Sequence, residues 1–113
     1  MPRNALCSAC RNGEVAILTM EIIGIPCEAL LDSGASLSFI SPAVVERLGL
    51  KTSVLASAQY FTVANKDSIS VEKAVYTLTT VCNGLTFTGD YLVGPIPYDL
   101  ILGLDWLKRH HIT

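Results

Sequence analysis

A mostly β domain with two short helices is what this chain predicts, on three features of its residue pattern. Strand-length runs rich in Val, Ile, Thr, Tyr and Phe recur from Glu14 to Leu102. Turn signals punctuate them at Gly24-Ile25-Pro26, Asn83-Gly84 and Gly94-Pro95-Ile96-Pro97. Helix start and stop residues flank two short segments, one in the middle of the chain and one at its end.

Taken in order, Glu14 to Leu31 is apolar and interrupted at Gly24-Ile25-Pro26, which predicts two strands joined by a turn rather than one helix. Next, Ser41 can cap a helix, Pro42 suits its first position and Gly49 can take the left-handed conformation that ends one, so a helix is expected over Pro42 to Leu48. Gln59 to Tyr76 places β-branched and aromatic residues around Asn65-Lys66-Asp67-Ser68, a hairpin with a polar tip. Asn83-Gly84 signals a second hairpin, with flanks Val75 to Cys82 and Leu85 to Val93. A last strand, Asp99 to Leu102, leads through Gly103 into a terminal helix whose acid, Asp105, lies early and whose bases, Lys108 to His110, lie late, as the helix dipole prefers.

With 113 residues, half of them hydrophobic, the chain can bury one modest core and not two. The expected organisation is an N-terminal tail, residues 1–13, and a single domain over 14–113. A net charge of −2 gives no electrostatic reason to expect nucleic acid or an anionic membrane as partner. No apolar run approaches the roughly 20 residues of a spanning helix, and Met1 to Arg11 lacks the apolar stretch of a signal peptide, so a cytoplasmic protein is expected. In that setting Cys7, Cys10, Cys27 and Cys82 are expected as free thiols.

Chemistry concentrates in Ala29-Leu30-Leu31-Asp32-Ser33-Gly34-Ala35-Ser36, where an apolar strand runs straight into an acid, a hydroxyl and a glycine. A carboxylate leaving a buried strand is costly unless hydrogen bonded, and Ser33 with the backbone amides freed by Gly34 is expected to supply those bonds. Asp-Ser-Gly alone is also an ordinary turn sequence. Its setting lifts it: an apolar strand before, a helix after, and Ile101-Leu102-Gly103 about seventy residues on.

Leu31-Asp32-Ser33-Gly34-Ala35 resembles the Asp-Ser/Thr-Gly-Ala signature of the retropepsins. Ser38-Phe39-Ile40-Ser41 with Val45-Glu46-Arg47-Leu48-Gly49-Leu50 is similar to the segment after the aspartate in proteases of gypsy-type LTR retrotransposons. Gln59 to Val75 sits where that family has its flap, and Tyr98 to Leu107 looks like its hydrophobic-hydrophobic-Gly segment and closing helix. Gly103-Leu104-Asp105 and Leu107-Lys108-Arg109-His110 also resemble the retropepsin domain of eukaryotic ubiquitin-shuttle proteases. The likeness spans roughly residues 14 to 111 and implies a closed β-barrel or sandwich of the acid-protease type with one or two short helices. It departs from the family at the end, where a strand that interleaves between subunits is commonly found and only Ile112-Thr113 remain here.

The resemblance implies an aspartic endopeptidase of a retroelement polyprotein that needs no cofactor and takes extended peptides. Its route requires one carboxylate to deprotonate a water and a second, protonated, to hydrogen bond the scissile carbonyl. One chain offers one such motif, so a homodimer must supply the second Asp32. Two carboxylates about 3 Å apart repel by roughly 5 kcal/mol at an effective dielectric of about 20, so the pair keeps a single proton over an acid to near-neutral window. By the same likeness Asp32, Ser33 and Gly34 form the catalytic set, Ser33 hydrogen bonding across the dimer axis. Ala35, Ser36, Ala64, Asn65, Lys66 and Ile101 are expected to contact substrate, the first two from the floor and the next three from the flap tip.

Other residues draw blander readings. Cys7-Ser8-Ala9-Cys10 has the spacing of half a zinc site, but no His follows at knuckle spacing and the next cysteine falls in a predicted strand, so no metal is expected. His110 and His111 suit a solvated helix end, Asp105 suits capping or pairing near the active-site loop, and Asp67, Asp90 and Asp99 suit solvated turns. Trp106 and Leu107 are expected to pack the last helix on the sheet. A competing function is a domesticated retropepsin fold that dimerises or binds peptides without cleaving them.

Overall fold

A computed structural model describes residues 16–62 and 68–110. Their strands and helices run β1 (Ala16–Ile22), β2 (Ile25–Leu31), β3 (Phe39–Ile40), α1 (Pro42–Leu48), β4 (Ser53–Thr62), β5 (Ser68–Cys82), β6 (Leu85–Val93), β7 (Leu100–Leu102) and α2 (Leu104–Arg109). The sheet order is β1-β2-β7-β3-β6-β5-β4, and Glu21 of β1 also pairs with Val81 of β5. Six strands therefore close on themselves, and β4 hangs from the first half of β5. This is the closed, mostly β architecture with two short helices that the sequence resemblance implies.

Local chemistry accounts for most of the elements. The β1–β2 turn is Ile23-Gly24, both with positive φ, while Ile25 and Pro26 belong to β2. The turn thus sits one residue earlier than the glycine and proline suggest. Pro26 is tolerated because it faces Glu21, which in a two-residue hairpin is a pair without ladder bonds, and β7 joins β2 only from Ala29 onward. The Asn83-Gly84 turn and the span of α1 are as expected: Ser41 Oγ accepts from the Ala43 amide, and Gly49 takes φ +62 at the helix end.

Three strands differ from expectation. β4 begins at Ser53, and β5 runs unbroken from Ser68 to Cys82, so Ser68 opens a strand instead of capping a tip. β3 has no counterpart in the sequence pattern, and only pairing with β6 and β7 makes a strand of two residues. Asp99 precedes β7 and its carboxylate accepts from the Glu28 amide at 2.9 Å; likewise Asp90 accepts from the Thr77 amide at 2.8 Å. Neither is merely a solvated turn residue.

The core fills the closed ring and the space under α2. Met20, Ile22, Leu31, Ile40, Leu100, Leu102 and Leu107 are fully buried, each contributing about 1.5–3 kcal/mol of transfer free energy. Trp106 and Leu107 pack as expected, but His110 does not end in solvent: its ring lies 4.7 Å from that of Trp106 and 5.0 Å from that of Phe87. The described cysteines, Cys27 and Cys82, are free and buried. Cys7, Cys10, Asp67 and His111 lie outside the described residues. No described helix is long and apolar enough to cross a membrane.

Candidate active site

β2 and β7 run parallel and end side by side, Leu31 opposite Leu102. Immediately beyond, the Asp32 amide donates to the Leu102 carbonyl at 3.0 Å, which fixes the acid where the barrel's buried strands stop. Asp32 is half-buried. Its Oδ1 accepts from the Gly34 amide at 2.9 Å, and the Ala35 amide closes the turn on the Asp32 carbonyl at 3.2 Å. Ser33, expected to share in holding the carboxylate, is exposed and makes no such bond, so within one chain the amide of Gly34 does that work. A Cβ on Gly34 would stand 3.1 Å from the carboxylate oxygen it supports, tight enough to disturb it.

The loop after Asp32 is tied to the start of α2. Leu104 and Asp105 donate their amides to the carbonyls of Ala35 and Ser36 at 2.8 and 3.2 Å. Gly103 is pressed onto this loop so closely that an added Cβ would collide with the Leu37 carbonyl and lie 2.8 Å from the Ala35 oxygen. The N-cap of α2 is Gly103; Asp105, in the first turn, instead accepts a 2.6 Å hydrogen bond from Ser38 Oγ, which is the pairing near the loop that its sequence position suggested.

Asp32, Gly34, Ala35, Ser36 and Ile101 line one open cleft of about 1080 Å³. Ser33 is not part of its wall, and Ala64, Asn65 and Lys66 lie outside the described residues. Leu30, Ile101 and Phe39 stand in register across β2, β7 and β3 and make an apolar floor. Phe61 and Thr62, at the end of β4, form the opposite wall, and the Phe61 ring meets Phe39 edge-on at 5.2 Å. Pro95 to Tyr98 complete the rim. Of the residues that sequence alone missed, Leu30 carried a signal: in an alternating strand, flanking Ala29 and Leu31 face the core, so Leu30 faces away. Phe61 and Tyr98 reach the cleft from distant segments, and no local pattern marks them.

Among the described residues, Asp32 is the one acid in the wall of this cleft. Among the described residues no group of three His, Cys, Asp or Glu side chains could hold a metal ion. A half-buried carboxylate on a turn, in the wall of an open and largely apolar cleft, is the form of an acid-protease site. The chain belongs to the retroviral aspartyl protease family, whose model matches residues 5–113.

Solved structures share its fold. EIAV protease, in complex with the inhibitor HBY-793, superposes with a TM-score of 0.71 at 21% identity, covering 91% of this chain and 94% of that one. The retroviral protease-like domain of Ddi1 from Leishmania major superposes with a TM-score of 0.69 at 24% identity, covering 84% and 76%. A sequence search of curated proteins finds no match.

Proposed function

We propose that this chain is the aspartic endopeptidase of a retroelement polyprotein, working as a homodimer in which each subunit contributes Asp32. The observation that carries the reading is the Asp32 carboxylate, held by the Gly34 amide in the wall of the cleft as its sole acid among the described residues. Membership of the retroviral aspartyl protease family supports it.

In this mechanism a water lies between the two Asp32 carboxyls, which share one proton. The ionised Asp32 takes a proton from the water as its oxygen attacks the scissile carbonyl carbon. The protonated Asp32 hydrogen bonds the carbonyl oxygen and passes its proton to it, giving a tetrahedral diol. Collapse breaks the C–N bond, the amine leaves with the proton first taken from water, and the hydroxyl proton returned to the dyad restores the shared state. Ser33, exposed on the loop, bonds across the two-fold axis to its counterpart, and Gly34 and Ala35 present backbone groups to substrate. The hairpin of β4 and β5 closes over the peptide and excludes water, and Ala64, Asn65 and Lys66 contact substrate. Leu30, Phe39 and Ile101 favour apolar side chains beside the cut bond.

The test is cleavage of a peptide library between about pH 4 and 7 by wild type and Asp32→Asn at equal folded dimer concentration. Cleavage by wild type with loss of at least about 10³-fold in the variant is expected, since one carboxamide removes the base or acid of the dyad. Equal cleavage by both would end the proposal. Saturable peptide binding without cleavage by either would support a silent peptide-binding module instead.

A further inference from the structure

The loop from Asp32 to Ser38 belongs to no strand or helix. Ser33, Gly34 and Ser36 are exposed, and the segment has no strand partner before Phe39. Apolar burial therefore does not set its conformation, yet Asp32 must be held to within a fraction of an ångström to act. What holds it is a compact polar knot at its far end. Ser38 is a buried polar residue with 1% of its surface exposed. Its hydroxyl accepts from the Gly103 amide at 2.9 Å and donates to Asp105 Oδ1 at 2.6 Å. The same Asp105 oxygen accepts from the Trp106 amide at 2.7 Å.

We propose that Asp105 and Ser38 are positioning residues for Asp32: the helix-borne carboxylate, through the buried serine, locks the active-site loop to α2. The proposal rests on the protease reading above and adds a role to two residues that touch neither water nor substrate. The physical chain is continuous. Trp106 and Leu107 bury α2 in the core, so its first turn is fixed. Ser38 and Asp105 transmit that position to one end of the loop, the Leu104 and Asp105 amides grip the Ala35 and Ser36 carbonyls in its middle, and the Leu102 carbonyl holds the Asp32 amide at its start. With the side-chain knot removed, the loop is left to backbone bonds: Asp32 to Leu102 at its start, Leu104 and Asp105 to Ala35 and Ser36 in its middle, and the Leu92 amide to the Ser38 carbonyl at 3.0 Å at its end.

The decisive property of Asp105 is an acceptor oxygen, so Asp105→Asn should substitute for it while Asp105→Leu, of similar size, should not. With wild type shown to cleave peptide, Asp105→Leu is expected to lower kcat by something on the order of 10²-fold with KM changed far less, because a loop displaced by about an ångström misplaces the attacking group. Asp105→Asn should stay within about threefold of wild type, as its carbonyl oxygen accepts both bonds. Ser38→Ala should fall between them, and adding it to Asp105→Leu should cost little more, as members of one network do.

Amide hydrogen exchange gives a reading that does not depend on activity: Gly103, Leu104 and Ala35 should exchange faster in Asp105→Leu, while the β1–β2 ladder is unchanged. If wild type cleaves nothing, the protease reading fails and exchange alone decides the positioning role. If Asp105→Leu does not fold, Ser38→Ala and the protection of the Gly103 amide in wild type decide it. Unchanged kcat and exchange in the variants, a lowered melting temperature with unchanged kcat at equal folded concentration, or Asp105→Asn as damaging as Asp105→Leu would each overturn it.

Discussion

Tyr91 carries its phenol into the core with 1% of its surface exposed, and its hydroxyl lies among Thr80 and Trp106 without completing a hydrogen bond to either. Burial drives the hydroxyl's proton affinity well above the ordinary tyrosine range, the charge of Asp105 adds to this, and the two polar neighbours offset a little of it. In the unfolded chain the same phenol ionises near pH 10. Folding thus favours the neutral form: the stability is fully present below about pH 10 and declines as pH rises beyond it, by up to about 1.4 kcal/mol per pH unit. Urea unfolding of Tyr91→Phe should match wild type to within about 1 kcal/mol at pH 7, since the lost hydroxyl had no full partner. At pH 11 the variant should be the more stable of the two. An equal alkaline loss in both proteins would show that another group governs it.

The two tight hairpins solve one geometric problem with different residues. Asn83-Gly84 and Ile23-Gly24 both place two residues at positive φ, which the right-handed twist of paired strands demands. Asn tolerates this; Ile, branched at Cβ and 72% exposed, gains nothing from burial to offset the strain. Ile23→Asn should raise unfolding stability by about 1 kcal/mol, read as a higher urea midpoint with the same slope. No change, or a loss, would mean that Ile23 packs in solution. The contrast also shows what local pattern can tell. The Asn83-Gly84 turn and α1 were legible because Asn-Gly, Ser41, Pro42 and Gly49 each answer a backbone requirement of their own. The Ile23 turn was misplaced by a residue because nothing in an isoleucine announces a left-handed backbone. β3 and the single course of β5, bent where Thr77 takes φ +55 and binds Asp90, depend on partners far along the chain. The site divides the same way: Asp32, Gly34 and the Ile101-Leu102-Gly103 segment could be picked out by residue type and order, whereas Phe61, Tyr98 and the Ser38 to Asp105 bond exist only through tertiary packing.

At the level of the molecule, six strands close into a ring, and the cleft beside β2 and β7 holds a single acid among the described residues. On the proposed mechanism that is half a catalyst, since base and acid roles cannot be filled at once by one carboxyl. Activity must then follow the dimer and not the chain. Below the dimer dissociation constant, the cleavage rate should rise with the square of protein concentration; above it, linearly. Mixing sharpens the distinction, because Asp32→Asn keeps the side chain's size and shape while removing one acid per subunit. With wild-type subunits held constant above the dissociation constant, an equal amount of Asp32→Asn subunits should leave about half of the wild-type subunits in homodimers once exchange is complete. If mixed dimers are inactive, the rate falls to about half, and a larger excess drives it towards zero. A catalyst complete in one chain would show no change at any ratio. A dimer needed only for stability would be indifferent to the mixture as well, so a fall with mutant fraction assigns the second acid to the partner subunit.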